Sequence, residues 1–347
     1  LWLGQPVVQE LLVSSDSVSQ LANVLSENDL ICYTLNAFPF GDFHSHRVKE
    51  NVYLPDWSQS LRLDYTENCA KILAALLPDE TEGSISTVPI GFKEFEHPED
   101  FLDRSIRQLI ELARRLDRLY TETGKVIRLA IEPEPFCLIE TTDEAIRFFE
   151  RLRHSADEEN MRQPVDRYLG LCYDVCHQAV EFEDVAESIR SIDQAGIRIN
   201  KVHITCALQL DHPAHNEEGR RALAQYVEPR YLHQTMALSS TGDILRAVDL
   251  TEELTLHPDA DFRDAEMWRI HFHVPVDAEQ LGPLKTTRTE LKQALNTVAE
   301  LDYAPHLEVE TYTWEVLPGV QSVPLVDGLT RELTATRSLV TEIQHKH

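Results

Sequence analysis

Val126–Pro135 reads VIRLAIEPEP. An aliphatic run broken only by Arg128 closes on Glu132, and Glu134 follows between two prolines. A short apolar run bounded by turn residues reads as a strand covered on both faces, the usual state of a strand in a parallel sheet. A carboxylate on its last residue needs a partner, because burying it unpaired is costly. The same arrangement recurs downstream. YLGLCYDVCH (168–177) closes on Asp174, with His177 three residues later, and KVHIT (201–205) holds His203. RIHFHVPV (269–276) carries His271 and His273, and HLEVETYTW (306–314) carries Glu308 and Glu310. Side chains alternate along a strand, so each of the last two pairs shares a face.

Around these runs the chain alternates regularly. Further strand-like runs are Leu30–Leu35 and Ile85–Ile90. Asp100–Thr121 has helical spacing, with Leu102, Ile106, Leu109, Ile110, Ala113 and Leu116 on one face. Thr141 with Glu144, and Thr287 with Glu290, match the capping box that opens a helix. Strand and helix in alternation predict an α/β fold with a parallel sheet and crossover helices. No linker cuts residues 1–347, which read as one domain. Residues 209–268 form a long interruption, read as a helical insertion or lid, with helical patterns near Glu217–Tyr226 and Thr241–Leu254.

Composition narrows the function. Against 32 Lys and Arg stand 59 Asp and Glu, a formal charge of −27 over 347 residues. That balance argues against a phosphate-backbone binder and against docking on anionic lipid. The 12 glycines form no dinucleotide or phosphate-loop fingerprint. No run of apolar residues reaches membrane-spanning length, and no signal peptide is visible after Leu1. Cys32, Cys69, Cys137, Cys172, Cys176 and Cys206 lie mostly in apolar runs, so they read as reduced, buried thiols of a cytoplasmic protein. Cys172 and Cys176 have no second pair to complete a zinc site. Carboxylates and imidazoles from several strand ends suit a divalent ion such as Mn²⁺, Zn²⁺, Co²⁺ or Mg²⁺.

The order Glu in IEPEP, Asp-x-x-His in YDVCH, His in KVHIT and Glu in EVETYTW resembles the xylose-isomerase-like TIM barrels, which include sugar-phosphate isomerases and epimerases and endonuclease-IV-like enzymes. Together with TLNAFPFGDFH, RVKENVYLPDW and LEVETYTWEVLP, it is more closely similar to the barrel family of the bacterial and algal Ebo operon, described as metabolite traffic proteins. The resemblance covers roughly Leu30 to Pro318 and implies a (β/α)₈ barrel, with a first strand ahead of where this chain begins. It implies Glu132, Asp174, His203 and Glu310 as metal ligands, with Glu132 and Glu310 as catalytic acid and base. His177, His271, His273, Glu308 and Glu134 are then candidates for a second metal or for substrate, with His271 standing where the nuclease-like branch has Asp, so that the resemblance leaves the number of ions open from one to three. Asn36, His44 and His46 follow a strand and are candidates to line the mouth. Lys93 and the arginines near Arg47 read as solvated surface charges. The expected activity is metal-dependent isomerisation or epimerisation of a small carbonyl or hydroxyl metabolite. The alternatives are metal-dependent hydrolysis of a small phosphate ester, or a non-catalytic traffic role with partner proteins of the same operon.

Overall fold

The structure, a computed structural model, describes residues 1–319 and 324–345. The chain divides into two compact units. The first comprises Leu1–Pro133, Cys137–Tyr173 and Ile192–Lys201, and the second Glu134–Phe136, Asp174–Ser191 and Val202–His347.

In the first unit, β1 (Thr34–Asn36), β2 (Gly83–Thr87), β3 (Ile127–Ile131) and β4 (Leu169–Asp174) pair in parallel. Leu35 lies opposite Ile85, Ile85 opposite Leu129, and Leu129 opposite Leu169. β5 (Ile199–Ile204) is next in order, and Leu171 N donates to Arg198 O at 2.9 Å. Ahead of β1, Trp2 makes a parallel bridge to Asn36. Two strands are displaced from their predicted limits. β2 ends before Pro89, which has no N–H to extend a ladder. Leu30 is taken up by the turn after the helix Ser15–Glu27, its N–H donating to Leu25 O at 2.8 Å.

The predicted amphipathic helix is Phe101–Thr123, which buries Ile106, Leu109, Ile110, Leu112, Ala113 and Leu116. It stops at Gly124, whose left-handed backbone (φ 71°) suits glycine and returns its N–H to Tyr120 O. The Thr141–Glu144 capping box forms as predicted on the helix Thr142–Glu158. Close packing of β4 against β5 depends on Gly170. A Cβ there would lie 2.2 Å from Arg198 O and 2.6 Å from the amide of Asn200, which donates to Leu129 O.

The second unit takes up Asp174 from the end of β4 and the last residues of β5. It contains an antiparallel sheet of β6 (Leu208–Asp211), β7 (Thr235–Leu238), β8 (Ile244–Ala247), β9 (Met267–Ile270), β10 (Gln280–Leu281) and β11 (Leu284–Thr286), in the order β10-β11-β6-β9-β7-β8. β12 (His306–Val309) neighbours β5. The interruption at 209–268 is therefore not only helical. Glu217–Leu223 is a helix as predicted, but the Thr241–Leu254 pattern resolves into β8 and the start of a short helix, Glu252–Leu256. Gly242 (φ 90°) sits in the β7–β8 turn, a conformation that breaks a helix. The Thr287–Glu290 capping box does not form on the helix Arg288–Val298. Thr287 Oγ1 instead accepts from Ala207 N at 2.8 Å, and Glu290 pairs with Arg269. Both groups of the box have found partners elsewhere in the unit.

Candidate metal centre

Asp174 ends β4 and is fully buried. Its two oxygens have different surroundings. Oδ1 accepts from Thr205 Oγ1 at 2.7 Å and from His177 N at 3.1 Å, capping the short helix Val175–Val180. That cap fixes the carboxylate plane and places His177 one turn away. Oδ2 accepts no hydrogen bond among the described residues. It lies 3.4 Å from His203 Nδ1, 3.8 Å from His273 Nε2 and 3.9 Å from His177 Nε2. Burial pushes the Asp174 carboxyl up, but the surrounding imidazoles of His177, His273 and His203 outweigh it and hold it well below the usual range.

His203, near the end of β5, is fully buried. Glu310 Oε2 stands 3.2 Å from its Nδ1, and Glu308 Oε2 stands 3.5 Å from its Nε2. The two acids that alternation places on one face thus both reach this ring. Burial pushes the Glu310 carboxyl up, yet His203 and His273 bring it below its ordinary value, so it stays ionised. Asp174, His203 and Glu310 form a carboxylate-rich group of oxygen and nitrogen donors.

His271 and His273 follow β9 in irregular backbone, because β9 ends at Ile270 and belongs to the antiparallel sheet. The predicted run Arg269–Val276 is therefore a strand only at its start. His271 N donates to Gln234 O and Val274 N to Cys206 O, which anchor the segment on both sides. His271 Nε2 lies 3.0 Å from His177 Nε2 and 3.3 Å from His273 Nε2. His271 Nδ1 meets Gln234 Oε1 at 2.6 Å, and His273 Nδ1 meets Glu310 O at 2.6 Å. The orientation of Gln234 is set by its amide nitrogen, which faces Glu134 Oε1 and Pro135 O, both acceptors, at 3.4 Å. Burial, with His177 and His273 beside it, pushes His271 well below its usual value, and burial also lowers His273.

Sequence reading missed Gln234, His233 and Glu228. His233 Nδ1 lies 2.9 Å from His271 O, and its Nε2 lies 2.9 Å from Glu228 Oε1. A Gln in irregular backbone has no periodicity or spacing to mark it. Glu134 stands beside this group, 3.6 Å from His271 Nδ1. Cys176 is close to His271 and His273, but burial raises its thiol well above the usual value, so it remains neutral. All six cysteines are buried and unbridged.

The remaining candidates lie in the first unit. Glu132 follows β3, is 2% exposed, and its N–H donates to Thr87 O. Asn36 ends β1 and its Oδ1 accepts from Phe38 N at 2.9 Å. His44 and His46 are exposed, with the His44 ring edge-on to Trp2. Lys93 is not a free surface charge, since it pairs with Glu140 and Glu144.

No helix among the described residues is long and apolar enough to cross a membrane. No protein-family model matches the sequence, and no curated protein does. Among solved structures, the chain is similar to a xylose isomerase-like TIM barrel protein from Mycobacterium smegmatis in complex with magnesium. The TM-score is 0.51 at 13% identity, covering 95% of this chain and 80% of the other. It is also similar to a D-tagatose 3-epimerase-like protein, with TM-score 0.50 at 13% identity, covering 96% and 84%. At such identity the likeness speaks for architecture alone, and that architecture is a TIM barrel.

Proposed function

We propose that this protein is a divalent-metal-dependent isomerase or epimerase of a small hydroxy-carbonyl metabolite, of the chemical class of sugars. The observation that supports it most is Asp174 Oδ2, buried without a hydrogen bond among the described residues and faced at 3.4–3.9 Å by three imidazole nitrogens. A buried anion in that state is expensive unless a cation completes it. Asp174, His203 and Glu310 would hold the ion. Glu132 joins them in the proposal on its position at the end of β3 and the resemblance in sequence. When bound there, the ion would supply Lewis-acid polarisation of a carbonyl, which acidifies the neighbouring C–H.

The chain's own residues supply the rest. Glu310, held ionised by His203 and His273, takes the carbon-bound proton at Oε1 or Oε2, and Glu132 returns one. His203, pinned between Glu308 and Glu310, keeps those carboxylates in place. The test is incubation of metal-loaded protein with a panel of pentoses and hexoses in D₂O. One carbon-bound deuterium incorporated per turnover, lost in Glu310→Gln, is the expected result. Metal-loaded protein that exchanges no proton on any of them would overturn the isomerase reading.

The number of imidazoles favours a second reading, hydrolysis of a small phosphate ester. It predicts release of inorganic phosphate without deuterium on carbon. A metabolite-traffic role predicts binding with neither.

A further inference from the structure

Resting on the proposal that Asp174, His203 and Glu310 hold a divalent ion, we infer that Glu332, on the C-terminal helix Leu325–Gln344, is a positioning residue of that centre: its carboxylate clasps together the segments that carry Glu310 and His273, and so fixes where the Glu310 carboxylate stands. Both segments lie beyond the end of a strand. β12 stops at Val309, just before Glu310, and β9 stops at Ile270. Side-chain bonds hold them instead. Glu332 Oε1 accepts from Thr311 Oγ1 at 2.6 Å and from Val276 N at 3.1 Å, and its Oε2 accepts from Trp314 Nε1 at 2.8 Å. Two further bonds join the same segments directly. Glu310 O is a carbonyl, so His273 Nδ1 donates to it at 2.6 Å, and Thr313 Oγ1 donates to His273 O.

Glu310 and Thr311 are consecutive and face different partners. Glu310 Oε2 stands 3.2 Å from His203 Nδ1, while the Thr311 hydroxyl turns to Glu332. Holding Thr311 from behind therefore limits the swing of Glu310 in front. The clasp calls for a carboxylate. It receives three donors, and an ionised carboxylate only accepts, whereas a Gln amide would set its own N–H₂ against at least one of them. Glu332 is fully buried, so water does not replace a lost donor or acceptor there. Its neighbour Arg331 repeats the grip nearer the surface: it pairs with Asp277, the residue after Val276, at 2.7 Å and lies 5.9 Å from the Trp314 ring. A group that only fastened the helix would need one such partner. Glu332 instead ties a backbone N–H of one segment to two side chains of the other. Metal ligands tolerate displacements of only about 0.5 Å, so loosening this tie should be felt in ion affinity.

The experiment is a Mn²⁺ titration of metal-stripped, natively folded protein, read as the dissociation constant of the tightest site from the electron paramagnetic resonance signal of the free ion. Glu332→Gln and Thr311→Val should each weaken Mn²⁺ about 10-fold, the low end of what partners behind metal ligands cost. Thr311→Ser, which keeps the hydroxyl, should bind as wild type does. Ile343→Ala removes a buried contact of the same helix about three turns beyond Glu332. It should lower the denaturant midpoint and leave Mn²⁺ affinity unaltered. Wild-type affinity in Thr311→Val or in natively folded Glu332→Gln overturns the inference alone. So does an equal loss of affinity in Ile343→Ala, since the effect would then be one of stability. Wild type that binds no Mn²⁺ overturns the metal reading as well.

Discussion

Asp174 divides its work between its two oxygens. Oδ1 is fully occupied by Thr205 and the N–H of His177, so it holds the backbone turn. Oδ2 points at imidazoles and carries the negative charge they share. Asp174→Asn keeps the size and one oxygen for the cap but removes the charge. It should leave the fold intact and abolish stoichiometric divalent-ion binding, which metal analysis of the dialysed protein would check. Glu310→Gln should instead retain at least one ion and lower turnover about 10²–10⁴-fold, the usual range for loss of a positioned proton-transfer group. Steady-state kinetics on the substrate found by deuterium exchange would measure it. An unaltered kcat would remove Glu310 from the chemistry. Asp174 was legible in the sequence because acids and histidines recur at several strand ends; one strand-end acid alone would read as a solvated or salt-bridged group. Gln234 was not, since its role exists only after β7, β9 and the Glu134 loop fold around it.

Among the elements, β4 is the most tightly specified. Gly170→Ala would drive a Cβ onto Arg198 O, a backbone atom that cannot swing aside. The expected loss is about 1–3 kcal/mol or more, read as a lower denaturant midpoint. The C-terminal helix Leu325–Gln344 is fastened by Glu332, which is fully buried. Its Oε1 accepts from Thr311 Oγ1 at 2.6 Å and Val276 N at 3.1 Å, and its Oε2 from Trp314 Nε1 at 2.8 Å. Gly328 lets the Trp314 ring lie against the same helix, where a Cβ would come within 2.5 Å of it.

Burial, with Asp277 nearby, raises the Glu332 carboxyl despite those donors. The native state therefore holds its proton to a higher pH than the unfolded chain does. Stability from this group is greatest below its unfolded value and falls as pH rises through the window up to its raised folded value. Relative to Glu332→Gln, wild type should lose stability across that window and run parallel above it. Denaturant melts at a series of pH values would show this, and parallel curves throughout would contradict it. The helix Phe101–Thr123 was readable from its periodicity and the parallel strands from their continuous apolar runs, although β1 and β2 fall short of or outside the expected limits. The antiparallel sheet was not, because β7, β8 and β9 are four residues each and β9 pairs with β6 and β7 from far along the chain. Thr287 and Glu290 carry the right motif in the wrong company: Ala207 and Arg269 compete for them.

For the whole molecule, the charge of −27 has a local component. Glu134, Asp174, Glu308 and Glu310 lie near one another's imidazole partners in the second unit. Ion binding should therefore stabilise the protein. At a free concentration one hundred times the dissociation constant, one site contributes about 2.7 kcal/mol. The unfolding midpoint should rise with added Mn²⁺ or Zn²⁺ in wild type and stay put in Asp174→Asn. The most direct test of the central claim is a crystal structure of the protein loaded with Mn²⁺ or Zn²⁺, with anomalous scattering recorded at the metal edge. The predicted result is a peak within coordination distance of Asp174 Oδ2, His203 and Glu310. A map with no peak there would contradict the account.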